Sequence, residues 1–185
     1  LAFAPRGDRL AAAFADGRAS VWDAATGRLL FELAGHRRGA AVTSVRYSSA
    51  GRRVVTTGRD HDSRIWGGET GASLSLLRGH FATVNDAAFS PSGRWVVTAG
   101  PGTAGLWDTS TGELVLFLRG HAGPLVAATF ASGRRIVTVG ETGAIRSYAC
   151  TICGGIPELL PLAERRLERT GRRLTSAEAR RYLGR

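Results

Sequence analysis

The chain has 185 residues, carries a formal net charge of +10 and is 43% hydrophobic. This length allows one domain or two small ones, and the apolar fraction is typical of a globular protein. No apolar run approaches the ~20 residues of a membrane-spanning helix, so we expect no membrane span. The sequence contains no methionine, and we therefore expect a piece of a longer protein that has lost any targeting signal.

Every basic residue that contributes to this charge is an arginine. A basic surface can bind nucleic acid or another anionic polymer. The arginines are scattered along the chain, however, as expected when a GC-rich genome encodes arginine in place of lysine. We keep the binding of nucleic acid or another anionic polymer through arginine-rich surfaces as the alternative, and we expect a protein partner in preference to nucleic acid.

Three markers recur along the chain with one period of 41 to 44 residues. An aromatic residue before a turn occurs at Phe3, Tyr47, Phe89 and Phe130. Strand-like runs end in an aromatic residue at Trp22, Trp66, Trp107 and Tyr148. The dipeptide Gly-His places histidines at His36, His80 and His121. Three independent markers that share one period indicate a repeat protein.

Each period contains four short runs rich in Val, Ile, Leu and Thr, separated by turns that contain Gly, Ser or Asp. In chain order, the second period reads VTSVRY, RVVTTG, SRIWG and SLSLL. Strands of this kind at about ten-residue spacing predict an all-β fold. No helix fits between the runs, which excludes parallel βαβ units.

The third period contains GPGTAG at positions 100–105, which has the G-x-G-x-x-G spacing of a dinucleotide-binding loop. Such a loop must lead into a helix, because the helix N-terminus receives the pyrophosphate. Here Gly105 leads directly into the strand-like LWD. Aligned on the tryptophans, Pro101 takes the place of Asp16 and Asp60 in the sister repeats. We therefore predict a turn between two strands and no cofactor.

The Gly-His pairs, the Trp-Asp pairs at Trp22 and Trp107 and the period together resemble the WD-repeat family of β-propellers. The resemblance covers about residues 1–149 and implies radially arranged four-stranded antiparallel sheets, called blades. We expect an open arc of four blades, the last with three strands, as the C-terminal part of a larger propeller whose other blades lie upstream. The expected blades span approximately residues 1–33, 40–77, 83–118 and 124–149.

In WD-repeat proteins, a histidine, a serine or threonine, an aspartate and a tryptophan form a hydrogen-bonded chain inside each blade. The resemblance implies this chain in the second repeat for His36, Thr56 or Thr57, Asp60 and Trp66. Gly58 occupies the usual position of the hydroxyl residue. The other repeats carry the set in part, through Asp16, Trp22, His80, Trp107, His121 and Tyr148. Pro101 and Thr142 replace the aspartate in the last two repeats.

The same residue types could form a catalytic triad. Because the set recurs in successive repeats, we interpret it as structural. Asp60, His61 and Asp62 could bind a metal ion, but one histidine between two aspartates in a tight turn is more often solvated. Cys150 and Cys153 supply only two ligands, too few for a zinc site. We predict no catalytic residue, metal or cofactor, and the cysteines can be free, bridged or metal-bound.

Residues 150–185 differ in kind from the repeats. Apolar residues from Ile156 to Leu167 fall on one face of a helix that ends at Gly171, and Thr175 begins the capping box of a second short helix. This tail resembles the C-terminal end of bacterial WD-repeat proteins, in which the propeller often follows a STAND or NACHT signalling ATPase, a kinase or a protease domain. The resemblance implies a bacterial, cytoplasmic protein.

We expect the function to be recognition of a protein partner, by a scaffold or sensor module that uses loops at one end of the blades. The loop after Gly-His and the turn before the third strand supply the candidate contact residues Arg37, Arg38, Arg59, Phe81 and Asn85. Arginine beside an aromatic residue is a typical anchor set at protein interfaces.

The first expected blade has no preceding blade within this sequence. Leu10, Ala12 and Phe14 alternate along its second strand, so we expect this apolar row to face water. Apolar faces and unpaired strand edges favour association.

Overall fold

The computed structural model describes residues 1–132, 134–150 and 153. The chain divides into two units, Leu1–Tyr148 and Ala149–Arg185, and nearly all described residues belong to the first. The two predicted tail helices lie outside the described residues. Within the described part of the chain, no helix is long and apolar enough to cross a membrane.

The described residues form four antiparallel sheets of four, four, four and three strands, which we call blades 1 to 4. Blade 1 contains β1 (Ala2–Phe3), β2 (Arg9–Ala13), β3 (Ala19–Asp23) and β4 (Leu29–Glu32). Blade 2 contains β5 (Val42–Tyr47), β6 (Arg53–Gly58), β7 (Ser63–Gly67) and β8 (Ser73–Leu77). Blade 3 contains β9 (Asp86–Phe89), β10 (Trp95–Ala99), β11 (Ala104–Asp108) and β12 (Leu114–Leu118). Blade 4 contains β13 (Leu125–Ala131), β14 (Arg135–Gly140) and β15 (Ile145–Ala149). The prediction of an all-β fold with a three-stranded last blade is confirmed.

Strands that follow one another in sequence lie side by side in every blade, so short turns connect them. The GPGTAG segment is one of these turns. The Gly100 N–H donates to the Thr103 carbonyl at 3.0 Å, and β11 begins at the next residue. Gly102 has a φ of 75°, a conformation that glycine adopts without steric cost. The segment therefore leads into a strand, as predicted, and not into a helix.

The apolar core lies between neighbouring blades. Trp66 of blade 2 is 1% exposed and belongs to one buried cluster with Val21 of blade 1. Trp107 of blade 3 is fully buried and belongs to a second cluster with Ile65 of blade 2. A buried aromatic side chain removes roughly 150–250 Å² from water. The tryptophan faces of blades 2 and 3 are thus each covered by the preceding blade.

The tryptophan face of blade 1 is more exposed. The strand register places Phe3 opposite Leu10, Leu10 opposite Trp22 and Trp22 opposite Leu29. Phe3 is 65% exposed and Leu29 is 46% exposed, whereas Leu10 and Trp22 are half-buried. A row of apolar side chains therefore crosses all four strands and is open to solvent at both of its ends.

The expected exposure along β2 is wrong in detail. Ala12 is only 6% exposed, and Leu10 and Phe14 are half-buried. Phe14 packs edge-on against Trp22, with ring centroids 5.8 Å apart, and the Arg18 guanidinium lies over the Phe14 ring. Side chains of the same blade therefore cover much of this row.

Candidate functional site

A hydrogen-bonded chain crosses blade 2 from its tryptophan to its β6–β7 turn. The Trp66 indole N–H donates to Thr56 Oγ1 at 2.9 Å, and Thr56 Oγ1 lies 2.7 Å from His36 Nε2. His36 Nδ1 lies 2.9 Å from both carboxylate oxygens of Asp60. The Gly-His dipeptide, the second strand, the turn and the third strand each supply one member. Folding of the blade brings these four positions together at one end of the sheet.

The donor and acceptor of each hydrogen bond in this chain follow from the aspartate at its end. Asp60 accepts the His36 Nδ1 hydrogen, which leaves Nε2 of the neutral imidazole as the acceptor for the Thr56 hydroxyl. Thr56 in turn accepts the indole hydrogen, so each of these buried polar groups has a partner. Thr57 bonds to Thr43 at 2.8 Å instead. Of the two threonines that the sequence offered, Thr56 is therefore the member of the chain.

The assignment of the hydroxyl position to Gly58 is wrong, because Thr56 supplies the hydroxyl. A Cβ at residue 58 would stand 2.7 Å from His36 Nδ1 and closer still to the Asp60 carboxylate. Real Cβ atoms do not approach other heavy atoms so closely, so a side chain here would displace the pair. Gly58 thus provides the space in which the imidazole and the carboxylate meet.

The pair between His36 and Asp60 is a neutral imidazole beside a carboxylate. Burial would raise the pKa of Asp60, but hydrogen bonds from the Arg37 backbone N–H and from His36 outweigh it and lower that pKa. Burial lowers the pKa of His36 by more than the neighbouring Asp60 raises it. The Arg37 N–H donates to the carboxylate at 3.0 Å. Asp60 therefore stays ionised and binds two donors at once.

Blade 3 contains the same chain without its acidic end. Trp107 Nε1 donates to Thr98 Oγ1 at 2.8 Å, and Thr98 Oγ1 lies 2.7 Å from His80 Nε2. The register leaves four residues in the β10–β11 turn, 100–103, against five in the β6–β7 turn, 58–62. The shorter turn contains no acidic residue, so no carboxylate reaches the imidazole from it.

His80 has the opposite tautomer to His36. His80 Nδ1 is buried and meets no hydrogen-bonding group of the described residues, so a hydrogen on this atom would be left unpaired. Nε2 therefore carries the hydrogen and donates to Thr98, whose hydroxyl donates to the Gly105 carbonyl at 3.3 Å. Burial lowers the pKa of His80 to about 4. Gly100 lies against the ring, and a Cβ there would collide with Nδ1.

Blade 4 retains the histidine and the threonine alone. His121 Nε2 lies 2.8 Å from Thr138 Oγ1. Burial, assisted by the positive charge of Arg146, lowers the pKa of His121. Tyr148 stands in the tryptophan position, and its hydroxyl donates to the Arg119 carbonyl at 3.0 Å. The tyrosine thus fastens the end of β12 to blade 4 and does not bond to the threonine.

Among the described residues of blade 1, Asp16 and Trp22 do not form the chain predicted for them. Ala12 stands where blade 2 has its threonine, so the Trp22 indole finds no hydroxyl there. Asp16 accepts hydrogen bonds from the Arg18 backbone at 3.0 Å and from its guanidinium at 2.7 Å. The aspartate stabilises its own turn.

The β6–β7 turn does not form a metal site. His61 is exposed and adopts a φ of 72°. Asp62 lies 3.5 Å from Arg64 and 3.5 Å from Arg78, so its carboxylate already has cationic neighbours. In the described part of the chain, no group of three or more His, Cys, Asp or Glu side chains could hold a metal ion.

Cys150 and Cys153 are joined in a disulfide. Of the alternatives that the sequence left open for these cysteines, the structure shows the bridged form. Neither sulfur is then a thiolate, the form in which cysteine binds a metal.

Most of the candidate contact residues lie exposed at one end of the blades, which we call the histidine end. It comprises the β4–β5 and β8–β9 loops and the turns between the second and third strands. Arg37, Arg38 and Arg59 are exposed there, and Phe81 is 76% exposed. Asn85 differs, because its side-chain amide donates to the Leu125 carbonyl at 2.7 Å. The asparagine thus links blade 3 to blade 4.

An ion pair between the first strands of blades 2 and 3 was not predicted. Asp86 of β9 accepts a hydrogen bond from Ser44 Oγ at 2.8 Å and lies 3.3 Å from the Arg46 guanidinium. Asp86 is 9% exposed, and a buried carboxylate needs such partners. The aspartate at the start of the strand-like DAAF, within the run VNDAAF, was the signal in the sequence.

A groove of about 440 Å³ opens beside the β4–β5 loop at the histidine end. Uncharged residues form part of its wall, and they are Ala19, Leu33, Ala34 and Gly35. Charged residues form another part, and they are Asp16, Arg18, Glu32 and Arg38, while Gly17 and His36 complete the lining. A groove with apolar and charged walls can hold a short stretch of an extended peptide.

Comparisons with known proteins agree with this geometry. Residues 27–67 and 71–108 match the WD40 family, described as WD domain, G-beta repeat. Protein Notchless of Drosophila melanogaster is 34% identical over 97 residues, which are 52% of this chain and 19% of that protein. Autophagy-related protein 16 of Arabidopsis thaliana is 43% identical over 63 residues, 34% of this chain and 12% of that protein. WD repeat and SOCS box-containing protein 1 of Xenopus tropicalis is 33% identical over 97 residues, 51% of this chain and 22% of that protein.

The crystal structure of the computationally designed Ika4 protein has a TM-score of 0.71 and 30% identity, over 81% of this chain and 89% of that one. The four sheets and the matched repeats define a protein of the β-propeller class. The repeats and the relatives support the WD-repeat propeller family for this chain. WD-repeat proteins are typically non-enzymatic scaffolds that bind protein partners. The matched regions span only 12% to 22% of the lengths of the three relatives.

Proposed function

We propose that this chain is a non-catalytic protein-interaction module that binds a partner protein at the histidine end. The observation that carries the proposal is Phe81, a large apolar side chain that is 76% exposed in the β8–β9 loop. The loop is fixed where it enters β9, because the Val84 N–H donates to the Gly58 carbonyl at 3.2 Å and the Asn85 N–H to the Ala99 carbonyl at 2.8 Å. An exposed aromatic residue on a fixed loop is a typical anchor for a protein partner.

The buried histidine chains support a structural role for the groups that resemble a catalytic set. His36 is 6% exposed, His80 is 7% exposed, and their threonine partners are fully buried. A catalytic group has to touch its substrate, whereas these groups are enclosed by the blades. Their contribution is to hold the ends of the strands and the loops that follow them.

Site-specific photo-cross-linking tests this function. A photoreactive phenylalanine analogue would replace Phe81 in one variant and Arg52 in another, because Arg52 is exposed in the β5–β6 turn at the opposite end. In cells of the source organism, we expect a discrete protein adduct from position 81 and none from position 52. Adducts from both positions, or from neither, would overturn the assignment of the binding surface.

We further propose that the chain is the C-terminal portion of a larger WD-repeat propeller in a bacterial, cytoplasmic protein with an upstream signalling domain. Phe3 is 65% exposed, whereas the equivalent Tyr47 and Phe89 are half-buried. Trp22 is half-buried, whereas Trp66 and Trp107 are buried. These differences support further blades beside blade 1. The resemblance of the tail supports the bacterial and cytoplasmic parts. An antibody raised against the chain should detect, in the cytosolic fraction, a protein much larger than 19.5 kDa. A band at the mass of this chain alone, or in the membrane fraction only, would contradict the proposal.

A further inference from the structure

The β4–β5 loop is held between two blades by its backbone. On the blade 1 side, the Gly39 N–H donates to the Asp16 carbonyl at 2.9 Å. On the blade 2 side, the Arg37 N–H donates to the Asp60 carboxylate at 3.0 Å. The side chains of Arg37 and Arg38 nevertheless remain exposed. Two arginines are therefore presented to solvent from a fixed backbone.

The close approach of this loop to blade 1 depends on one glycine. A Cβ at Gly17 would stand 2.6 Å from the Arg37 carbonyl oxygen and 3.1 Å from that of Ala40. Gly17 also has a φ of 93°, which favours glycine. The sequence of the β2–β3 turn is thus compatible with a loop packed directly on it.

Two carboxylates around this loop already have cationic partners. Asp16 lies 2.7 Å from the Arg18 guanidinium. Asp62 lies 3.5 Å from both Arg64 and Arg78. The aspartate that closes the blade 2 chain is bound by a neutral histidine and by a backbone N–H and keeps its negative charge, which the second arginine beside Asp62 offsets. These acids therefore do not neutralise the exposed arginines.

Three arginines of this region keep an uncompensated charge. Arg37, Arg38 and Arg59 form no ion pair with any described residue. The Arg59 backbone N–H donates to the Ala41 carbonyl at 2.9 Å, so this arginine is also tied to the β4–β5 loop. Glu32, which lines the groove with Arg38, has no ion pair in the same part of the chain and offsets one charge. Three arginines less one glutamate leave a surplus of two positive charges beside the groove.

We propose that Arg37 and Arg38, with Arg59 beside them, bind an acidic linear segment of the partner protein, one of whose apolar side chains enters the groove beside Ala34. This inference rests on the proposed function, and it adds the chemical class of the partner. The arginine guanidinium matches a carboxylate through two parallel hydrogen bonds. Because the loop backbone is already fixed, binding orders only side chains, which reduces its entropic cost.

The geometry favours a peptide over nucleic acid. The carboxylates of Asp16 and Glu32 line the same groove as Arg38 and would repel the evenly spaced phosphates of a polynucleotide. Part of the groove wall is apolar, with the exposed Ala34 among its residues. A peptide can place carboxylates on the arginines and an apolar side chain in the groove, and a phosphate backbone cannot.

Fluorescence polarisation with defined probes tests the proposal on the whole chain. The first probe is a labelled peptide of alternating Asp and Glu around one central leucine. The second has the same length, with Asn and Gln in place of every acid, and the third is a single-stranded oligothymidine. The test variant is Arg37→Glu with Arg38→Glu. Its matched control, Arg6→Glu with Arg52→Glu, makes the same change in net charge in turns at the opposite end.

We expect the acidic peptide to bind, and the loop variant to weaken binding by about tenfold or more, as for buried interface anchors. The control variant should stay close to the wild type, and the amide peptide should not bind. Arg37→Gln with Arg38→Gln should give an intermediate loss, and thermal melting should show that each variant folds. No binding of the acidic peptide, equal losses in both charge-reversed variants, or tighter binding of oligothymidine would each overturn the proposal.

The cross-linking experiment separates this inference from the proposed function. If position 81 still gives a protein adduct in the Arg37→Glu, Arg38→Glu background, the module binds a partner and only the acidic-segment inference fails. If wild-type position 81 gives no adduct, the proposed function itself fails. Loss of the adduct in the loop variant alone, with the control variant unaffected, would support both.

Discussion

Both carboxylate oxygens of Asp60 lie 2.9 Å from His36 Nδ1, and one of them also accepts the Arg37 backbone N–H at 3.0 Å. One side chain therefore closes the buried chain of blade 2 and fixes the loop that presents two exposed arginines. Buried polar networks of this kind stabilise a structure when every member is satisfied. The stability of the blade and the geometry of the proposed binding loop thus depend on the same carboxylate.

Removing this carboxylate should destabilise the fold. We expect Asp60→Ala to lower the free energy of unfolding by roughly 1–3 kcal/mol, because the His36 and Arg37 hydrogens lose their acceptor. Asp60→Asn keeps an acceptor and should cost less. Pro101→Ala, in the shorter turn of blade 3, should cost much less because it removes no hydrogen bond. Denaturant titration measures all three, and equal losses at positions 60 and 101 would show that the assigned role is wrong.

The two neighbouring threonines of β6 should differ in their contribution. Thr56→Val should cost roughly 1–3 kcal/mol, because the Trp66 indole N–H and His36 Nε2 both lose their partner. Thr57→Val preserves shape in the same way, but removes only the bond to Thr43, whose hydroxyl also bonds to a backbone carbonyl. The loss of unfolding free energy should therefore be smaller for Thr57→Val. The reverse order in a denaturant titration would contradict the hydrogen-bond pattern.

Stability should fall on mild acidification. Burial holds the pKa of His80 at about 4 in the folded chain, against an ordinary value of 6.5. Between these values the unfolded chain binds the proton and the folded chain does not, so acid favours unfolding. The contribution is complete above pH 6.5 and is lost progressively as the pH falls to 4, by up to about 3 kcal/mol. Denaturant titrations across this range measure the slope.

A variant that lacks only His80 isolates this effect. In His80→Leu the decline between pH 6.5 and 4 should be shallower than in the parent chain. It should not vanish, because the pKa values of His36 and His121 are also lowered by burial. Identical slopes in the parent and the variant would refute the burial of a neutral His80.

The exposed row on blade 1 should cause the isolated chain to associate. Phe3 and Leu29 are 65% and 46% exposed at the two ends of this apolar row, and contiguous exposed apolar surface favours self-association. Phe3→Asp with Leu29→Asp should raise the monomer fraction in gel filtration with light scattering. Leu74→Asp with Val115→Asp makes the same charge change on the exposed strands β8 and β12 and should have little effect. A monomeric parent chain would show that the row does not drive association.

The fold could be predicted from the sequence because each repeated marker residue occupies one position in a four-stranded antiparallel meander. Tyr47, the aromatic residue of YSSAG, ends the first strand of blade 2. Trp66, the tryptophan of SRIWG, lies on the third strand of that blade. Valine-rich and threonine-rich runs between glycine turns at this spacing indicate short strands of an all-β fold, and the repeat length indicates four of them in each sheet. Local patterns therefore determined the number and the order of the strands.

The hydrogen-bond partners of the side chains were harder to predict from the sequence, because they depend on strand register and turn length. Thr56 and Thr57 are adjacent in sequence, and only the strand register decides which of them faces the histidine. The β10–β11 turn is one residue shorter and lacks the acidic end of the blade 3 chain, a difference that the alignment on the tryptophans presented as a substitution at Pro101. Asn85 reads as a loop residue, yet its partner is the carbonyl of Leu125 in the next blade.

In blades 2 to 4, a glycine at the end of the second strand couples two distant positions of the repeat. A Cβ at Gly58 or Gly140 would stand 2.7 Å or 2.8 Å from the Nδ1 atom of His36 or His121, and one at Gly100 would be closer still to His80. A repeat that keeps its histidine cannot accept a larger residue about twenty positions later, whereas a repeat that has lost the histidine is free to. Among related sequences, the two positions should therefore covary as a pair, and repeats that violate the pairing should be those in which the blade end has been rebuilt.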